Sequence, residues 1–209
     1  MRPPILAALM LTGACASSSP EMASAPTPAA DSAALARAAL RTSITAREQY
    51  YDIDGSSAGA LRDQIRRLGP KDESGTSHDA LTVWSLEWAY GTAQRGDSCA
   101  LKDVRVTLNV SVTLPRWTPP ATATARLKDS WRTYLRNVRV HEGGHRTIAE
   151  RNARELMTAL TPLRGTSCEG LANEATRLAE RIVADGRARN RAYDLQTKHG
   201  QTQGVELEP

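Results

Sequence analysis

The chain contains no phenylalanine, and aromatic residues make up only 4% of its 209 residues. The aromatic bulk of any core must therefore come largely from Trp84, Trp88, Trp117 and Trp131. Long apolar runs are also missing. The longest, Ile5 to Ala14, has about ten residues where a membrane-spanning helix needs about twenty. A concentrated basic stripe is absent as well: the net charge is only +4 and the Arg and Lys residues are scattered along helical segments. A phosphate-binding surface needs clustered cations, so this argues against nucleic acid as a partner. Cysteine is scarce, and neither Cys99 nor Cys168 has a second ligand at close spacing, which argues against cysteine-ligated zinc. No internal repeat is present.

The 40% hydrophobic and 24% charged residues are ordinary for a soluble globular protein, and the length suits one domain with extensions. Residues 1–16, MRPPILAALMLTGACA, have a positive start, a short apolar run and small residues, which is the pattern of a secretory signal. Thr12-Gly13-Ala14-Cys15 resembles a bacterial lipoprotein box with Cys15 as the lipidated residue, although threonine stands where leucine is usual; Ala14-Cys15-Ala16 also fits ordinary signal peptidase. Residues 17–42 are rich in Ser, Ala and Pro and lack large apolar side chains, so a flexible tether is expected there. The domain is expected over 43–205. Cleavage leaves Cys99 and Cys168, which in an oxidising compartment are expected to form a disulfide.

Within the domain, Thr45–Tyr51 favours a strand, and Ser56 or Ser57 can cap a helix ending at Leu68 before Gly69-Pro70. In LTVWSLEWAY, Trp84, Leu86, Trp88 and Tyr90 fall on one side of an alternating strand. VRVTLNVSVTL alternates over residues 104–114, with Pro115 expected to stop it. Beyond that break Leu127, Trp131, Leu135 and Val138 keep helical spacing, as do Ile148, Leu156 and Leu160. A last helix is expected from about Cys168 to Tyr193, with Leu171, Ala175, Leu178 and Ile182 on its core side. The fold class is α+β, a small antiparallel sheet packed against helices.

The segment that carries chemistry is His141-Glu142-Gly143-Gly144-His145. Two histidines four apart on a helix lie about 40° apart and one turn removed, so both imidazoles can reach one ion. Glu142 is turned by about 100°, placing its carboxylate beside the ion as a base for water. This HExxH spacing is the zinc-peptidase helix pattern. Each interior glycine costs about 1 kcal/mol relative to alanine, so the pair at 143 and 144 is expected to make room beside the metal for another element.

Catalytic zinc needs a third protein ligand. Glu150 lies about 180° round the helix from His141, and His78, in a polar loop, reads as a surface residue. Glu174 sits on the next helix and resembles the Asn-Glu-Ala placement of thermolysin-like peptidases. The remaining candidates are in the tail YDLQTKHG, which contains Tyr193, Asp194, Thr197 and His199.

The YDIDG-like start, the long alternating strand ending in Leu-Pro, the Trp and Tyr helix, HEGGH, the Cys-containing helix and YDLQTKHG together resemble a bacterial family of predicted secreted zinc-dependent proteases, catalogued as domain of unknown function 922. The resemblance spans roughly residues 45–205. It implies that His199, in the Tyr-Asp-x-x-Thr-x-His-Gly tail, belongs to the site. His199 is thus the favoured third ligand, with Glu174 and Asp194 as alternatives; with His199 bound, Asp194 would orient a ligand histidine and Tyr193 would donate a hydrogen bond to an oxyanion.

The function expected is a zinc metallopeptidase of the cell envelope or of secreted material. His141, His145 and His199 hold Zn²⁺, and Glu142 is the general base. Its partner is a peptide or protein substrate, and it meets the membrane only through an anchor at Cys15. The alternatives are a non-catalytic zinc-binding lipoprotein, in which Asp194 and His199 together close the coordination, and an amidase of cell-wall peptides.

Overall fold

A computed structural model describes residues 42–207. The expected signal, Cys15 and nearly all of the expected tether lie outside the described residues; Thr42, assigned above to the tether, opens the first strand. The elements are β1 (Thr42–Ile53), α1 (Ala58–Leu68), β2 (Leu81–Arg95), β3 (Ser98–Trp117), α2 (Ala125–Leu160), β4 (Arg164–Gly165) and α3 (Cys168–Thr197), followed by a short 3₁₀ turn, Gln201–Gln203.

The class is α+β, with a four-stranded sheet in the order β1-β3-β2 and the two-residue β4 added to β3. β2 and β3 form a long antiparallel hairpin, closed by a two-residue turn in which Gly96 has φ 57°. That positive φ at the first turn position is the geometry for which glycine is preferred. β1 pairs with β3 in parallel, so the sheet is mixed and not purely antiparallel. The parallel pairing needs a crossover, and α1 lies within the connection from β1 to β2.

β3 does not stop at Pro115; it continues to Trp117. The β2 partner of β3 ends at Leu81, opposite Thr113, so from Pro115 onward only β1 is alongside. A proline, which has no N–H to donate, is tolerated where one side of the strand is unpaired.

α1 starts at Ser57, whose Oγ accepts from the Ala60 amide at 3.2 Å, and it buries Leu61 and Ile65 completely. α2 is one helix of 36 residues, about 54 Å long, capped by Thr124. Its buried stripe runs through Leu127, Trp131, Tyr134 and Val138, then His141, Glu142 and His145, then Ala149, Ala153, Leu156 and Leu160. The apolar parts of that stripe serve two cores. One packs Leu114, Trp131 and Tyr134 with α1, and the other packs Leu108, Leu156, Met157 and Leu171 between sheet, α2 and α3. In the first core Trp117 meets Trp131 edge-on and Trp131 meets Tyr134 at a tilt, with centroids 5.6 and 5.3 Å apart, supplying the aromatic volume that phenylalanine would otherwise fill. On α3 the buried positions are Leu171, Ala175, Ala179, Gly186 and Thr197; Leu178 and Ile182 are only half-buried.

Cys99 on β3 and Cys168 at the start of α3 form a disulfide with a Cα–Cα distance of 5.1 Å. It fastens the first turn of α3 to the sheet. No helix among the described residues is long and apolar enough to cross a membrane.

Candidate metal centre

The interruption of the α2 stripe is the centre of the site. His141, Glu142 and His145 are 7%, 5% and 8% exposed, where the same helix face is apolar on either side. Burying polar groups in this way is costly unless they are partnered. Their partners come from three other elements.

The first partner element is α3, which continues past the expected end at Tyr193 to Thr197. Asn190 and Asp194, one turn apart on α3, both face His145. Asp194 Oδ1 lies 3.0 Å from His145 Nε2 and 3.3 Å from His141 Nε2, while the two Nε2 atoms are 3.3 Å apart. The second is the chain after α3. Gln203 Oε1 is 3.0 Å from His141 Nδ1, and Asn190 Oδ1 is 2.7 Å from His145 Nδ1. The Asn190 amide nitrogen donates to the Gly186 carbonyl at 3.2 Å, which turns its oxygen toward the imidazole. Each Nδ1–H therefore donates to an amide oxygen, and each Nε2 is left with its lone pair directed at the other and at Asp194 Oδ1.

Three lone-pair atoms aimed at one point repel one another unless a proton or a cation lies between them. A tetrahedral zinc with ligands at about 2.0–2.1 Å has ligand–ligand edges of about 3.3–3.4 Å, close to the separations found here. His141, His145 and Asp194 are thus the residues able to hold a metal, and among the described residues no fourth His, Cys, Asp or Glu joins them. Where protons on Nε2 take the place of a cation, burial acts to raise the Asp194 carboxyl, but the hydrogen bonds then donated by His141 and His145 outweigh it and hold the group below the usual carboxylate range. Burial likewise opposes charging of His145, and the bonds to Asp194 and Asn190 draw it up.

The third element is β2. Thr82 Oγ1 donates to Glu142 Oε2 at 2.5 Å. Burial pushes the Glu142 carboxyl up, with the Thr82 bond opposing. The result is a carboxylate tied at one oxygen, at the wall of a groove of about 820 Å³ that also takes in both histidines and Asp194.

The paired glycines separate. A Cβ on Gly144 would lie 2.2 Å from the Tyr193 hydroxyl oxygen and 2.3 Å from its ring, so only glycine admits Tyr193 against α2. Tyr193 stacks on His141 with centroids 5.1 Å apart and 13° between planes, and meets His145 edge-on. Its hydroxyl accepts from Gln203 Nε2 at 3.0 Å. This packing lays the Tyr193 ring against both imidazoles and gives its hydroxyl a partner in Gln203. A Cβ on Gly143 would meet nothing within 4 Å, and nothing in the structure explains a glycine there.

The other sequence candidates fall as follows. His199 sits beyond the α3 cap with φ 53° and a 62% exposed side chain; its Nδ1 is 3.7 Å from Asp194 Oδ1, and it lines the groove without joining the three-atom cluster. Glu174 is exposed on α3, twenty residues and about 30 Å from Asp194 along the helix axis. Glu150 pairs with Arg146 at 2.8 Å. His78 is not a free surface residue: it lines the groove, is held by Asp72 at 2.9 Å, and lies 6.1 Å from the His199 ring. Thr82, Asn190 and Gln203 went unnoticed in the sequence. Asn190 was detectable in principle, since it precedes Asp194 by one helical turn.

The family described as "Bacterial protein of unknown function (DUF922)" matches residues 48–200, and the chain belongs to it. No curated protein and no solved structure matches the chain.

Proposed function

We propose that this DUF922 member is a zinc-dependent hydrolase of peptide bonds, with His141, His145 and Asp194 as the metal ligands and Glu142 as general base. The observation that supports it most is the convergence of two Nε2 lone pairs on the buried face of α2 and one carboxylate oxygen of α3 at tetrahedral-edge distances. Zinc held by such a set lowers the pKa of a water ligand toward neutrality and polarises a carbonyl oxygen.

The chain's own groups divide the remaining work. Asn190 and Gln203 fix both histidines in the Nδ1–H tautomer and keep Nε2 available. Tyr193, admitted by Gly144, holds the two rings at right angles. Glu142, fixed by Thr82 at one oxygen, accepts a proton from the attacking water and returns it to the departing amine nitrogen. The groove along β2 and α3 admits an extended peptide. The signal-like residues 1–16 and the Cys99–Cys168 disulfide support an exported, envelope-located protein, anchored where Cys15 is lipidated.

The test combines metal analysis with turnover. Glu142→Gln is expected to keep its zinc and lose about 10²–10⁴-fold in hydrolysis, the usual contribution of a general base. Asp194→Ala is expected to lose zinc while His199→Ala retains it. Undiminished hydrolysis in Glu142→Gln would remove the mechanism, and the opposite metal result would give His199 the third ligand position. Casein and cell-wall peptide fragments, run side by side, separate a peptidase from an amidase.

A further inference from the structure

Beside the cluster, on the same face of α3, two arginines stand without a carboxylate. Arg187, Arg191 and Asp194 follow one another at helical spacing, all three line the groove, and neither arginine has a hydrogen-bond or ion-pair partner among the described residues. Their neighbour Arg189 points elsewhere, to Glu155 at 2.6 Å and Asn152 at 2.8 Å. Across from the pair, β2 supplies Trp84 to the main groove and Trp88 to a smaller depression of about 330 Å³ that Arg187 and Arg191 also line. The two depressions are therefore neighbours along α3 that share Arg187 and Arg191, with one β2 indole in each. Glu180 lines the smaller depression, and Asp72, Glu73, Asp79, Glu142, Asp194 and Glu206 line the main groove; none of these is paired with either arginine.

We propose that Arg187 and Arg191, with the depressions they line, form a specificity subsite for acidic side chains of the peptide substrate. The inference deepens the hydrolase proposal and rests on it. Arg187 and Arg191 are about 6 Å apart along the helix axis. Alternate side chains of an extended peptide are separated by about 6.6 Å, so residues i and i+2 reach the two guanidinia together. Each guanidinium offers a planar fork of donors that matches a carboxylate, and the indole surface beneath lowers the local dielectric. Asp194 lies three residues beyond Arg191, about 4.5 Å along the axis, so the first acidic position falls within two residues of the bond to be cut.

The experiment uses the full chain carrying Glu142→Gln, loaded with zinc, so that bound peptide is not consumed. Fluorescein-labelled peptides with Glu at alternate positions are compared, by fluorescence anisotropy, with the same peptides carrying Gln. The acidic series is expected to bind about tenfold tighter, with the difference shrinking as salt is raised. Adding Arg187→Gln and Arg191→Gln together, with circular dichroism and zinc content checked against the parent, is expected to bring the ratio to about one. Equal binding of the Glu and Gln series by the parent overturns the proposal. So does a ratio that survives both substitutions, or arginine-dependent binding to phosphatidylglycerol vesicles without discrimination between the peptides, which would assign the pair to a lipid surface. Because the readout is binding by an inactive variant, it stands apart from the turnover comparison that decides whether the chain is a hydrolase.

Discussion

Gly143 and Gly144 occupy adjacent positions in α2, and one methyl group would act on them in opposite directions. At 143 an added Cβ meets open space, so Gly143→Ala is expected to stabilise the domain by about 0.5–1 kcal/mol through helix propensity alone. At 144 the same carbon enters the Tyr193 ring, and Gly144→Ala is expected to cost about 1–3 kcal/mol and to weaken metal retention, because the ring that aligns both histidines must move. Thermal melts would show shifts of opposite sign, roughly 2–4 °C per kcal/mol for a domain of this size. The histidine spacing and the glutamate beside it were legible from the sequence because they depend on helix geometry alone. The partners Thr82 and Gln203 were not, since each reaches the site across about 60 residues of chain.

The last four residues of α3 decide the composition of the site. With the helix ending near Tyr193, Asp194 and His199 share one tail and histidine is the natural choice of ligand. With the helix running to Thr197, Asp194 is fixed on the inner face one turn from Asn190, and His199 is carried past a left-handed cap at Lys198. Helix ends are poorly specified by composition, and YDLQT lacks the glycine or proline that would have marked one. α3 is also held to α2 by Glu155, which meets both Arg189 at 2.6 Å and Arg151 at 2.8 Å. Burial tends to raise the Glu155 carboxyl, but the two arginines prevail and its pKa is lowered. A group with a depressed folded-state pKa stabilises the fold above its unfolded value, near 4.5, and that contribution disappears as pH falls through the folded value. Glu155→Gln is therefore expected to lower stability at neutral pH and to flatten the loss of stability on acidification below about pH 4.5, as measured by urea midpoints across pH.

For the whole molecule, α3 is fastened near both ends: to β3 by the disulfide, and to α2 by the His–Asp–Asn cluster. The cysteine pairing and the α+β class followed from residue counts and from periodicity in β2, β3 and α2. The parallel placement of β1 did not, because a strand's own pattern carries no record of its neighbour's direction. Cys99→Ser with Cys168→Ser is expected to cost about 4 kcal/mol, the loop-entropy value for two positions 69 residues apart, less any strain released. The same loss should appear in the wild-type chain on adding dithiothreitol and be absent in the double variant.

The delivery of Asp194 by the final helix bears on the order of events in biosynthesis. A chain made from its N-terminus displays His145 for 49 residues before Asp194 exists, and α3 must still dock before the carboxylate meets the imidazoles. Until then the histidines are two weak donors on a helix, with little hold on a cation. On the proposal that these three groups hold zinc, ion capture follows the docking of α3 and does not precede it.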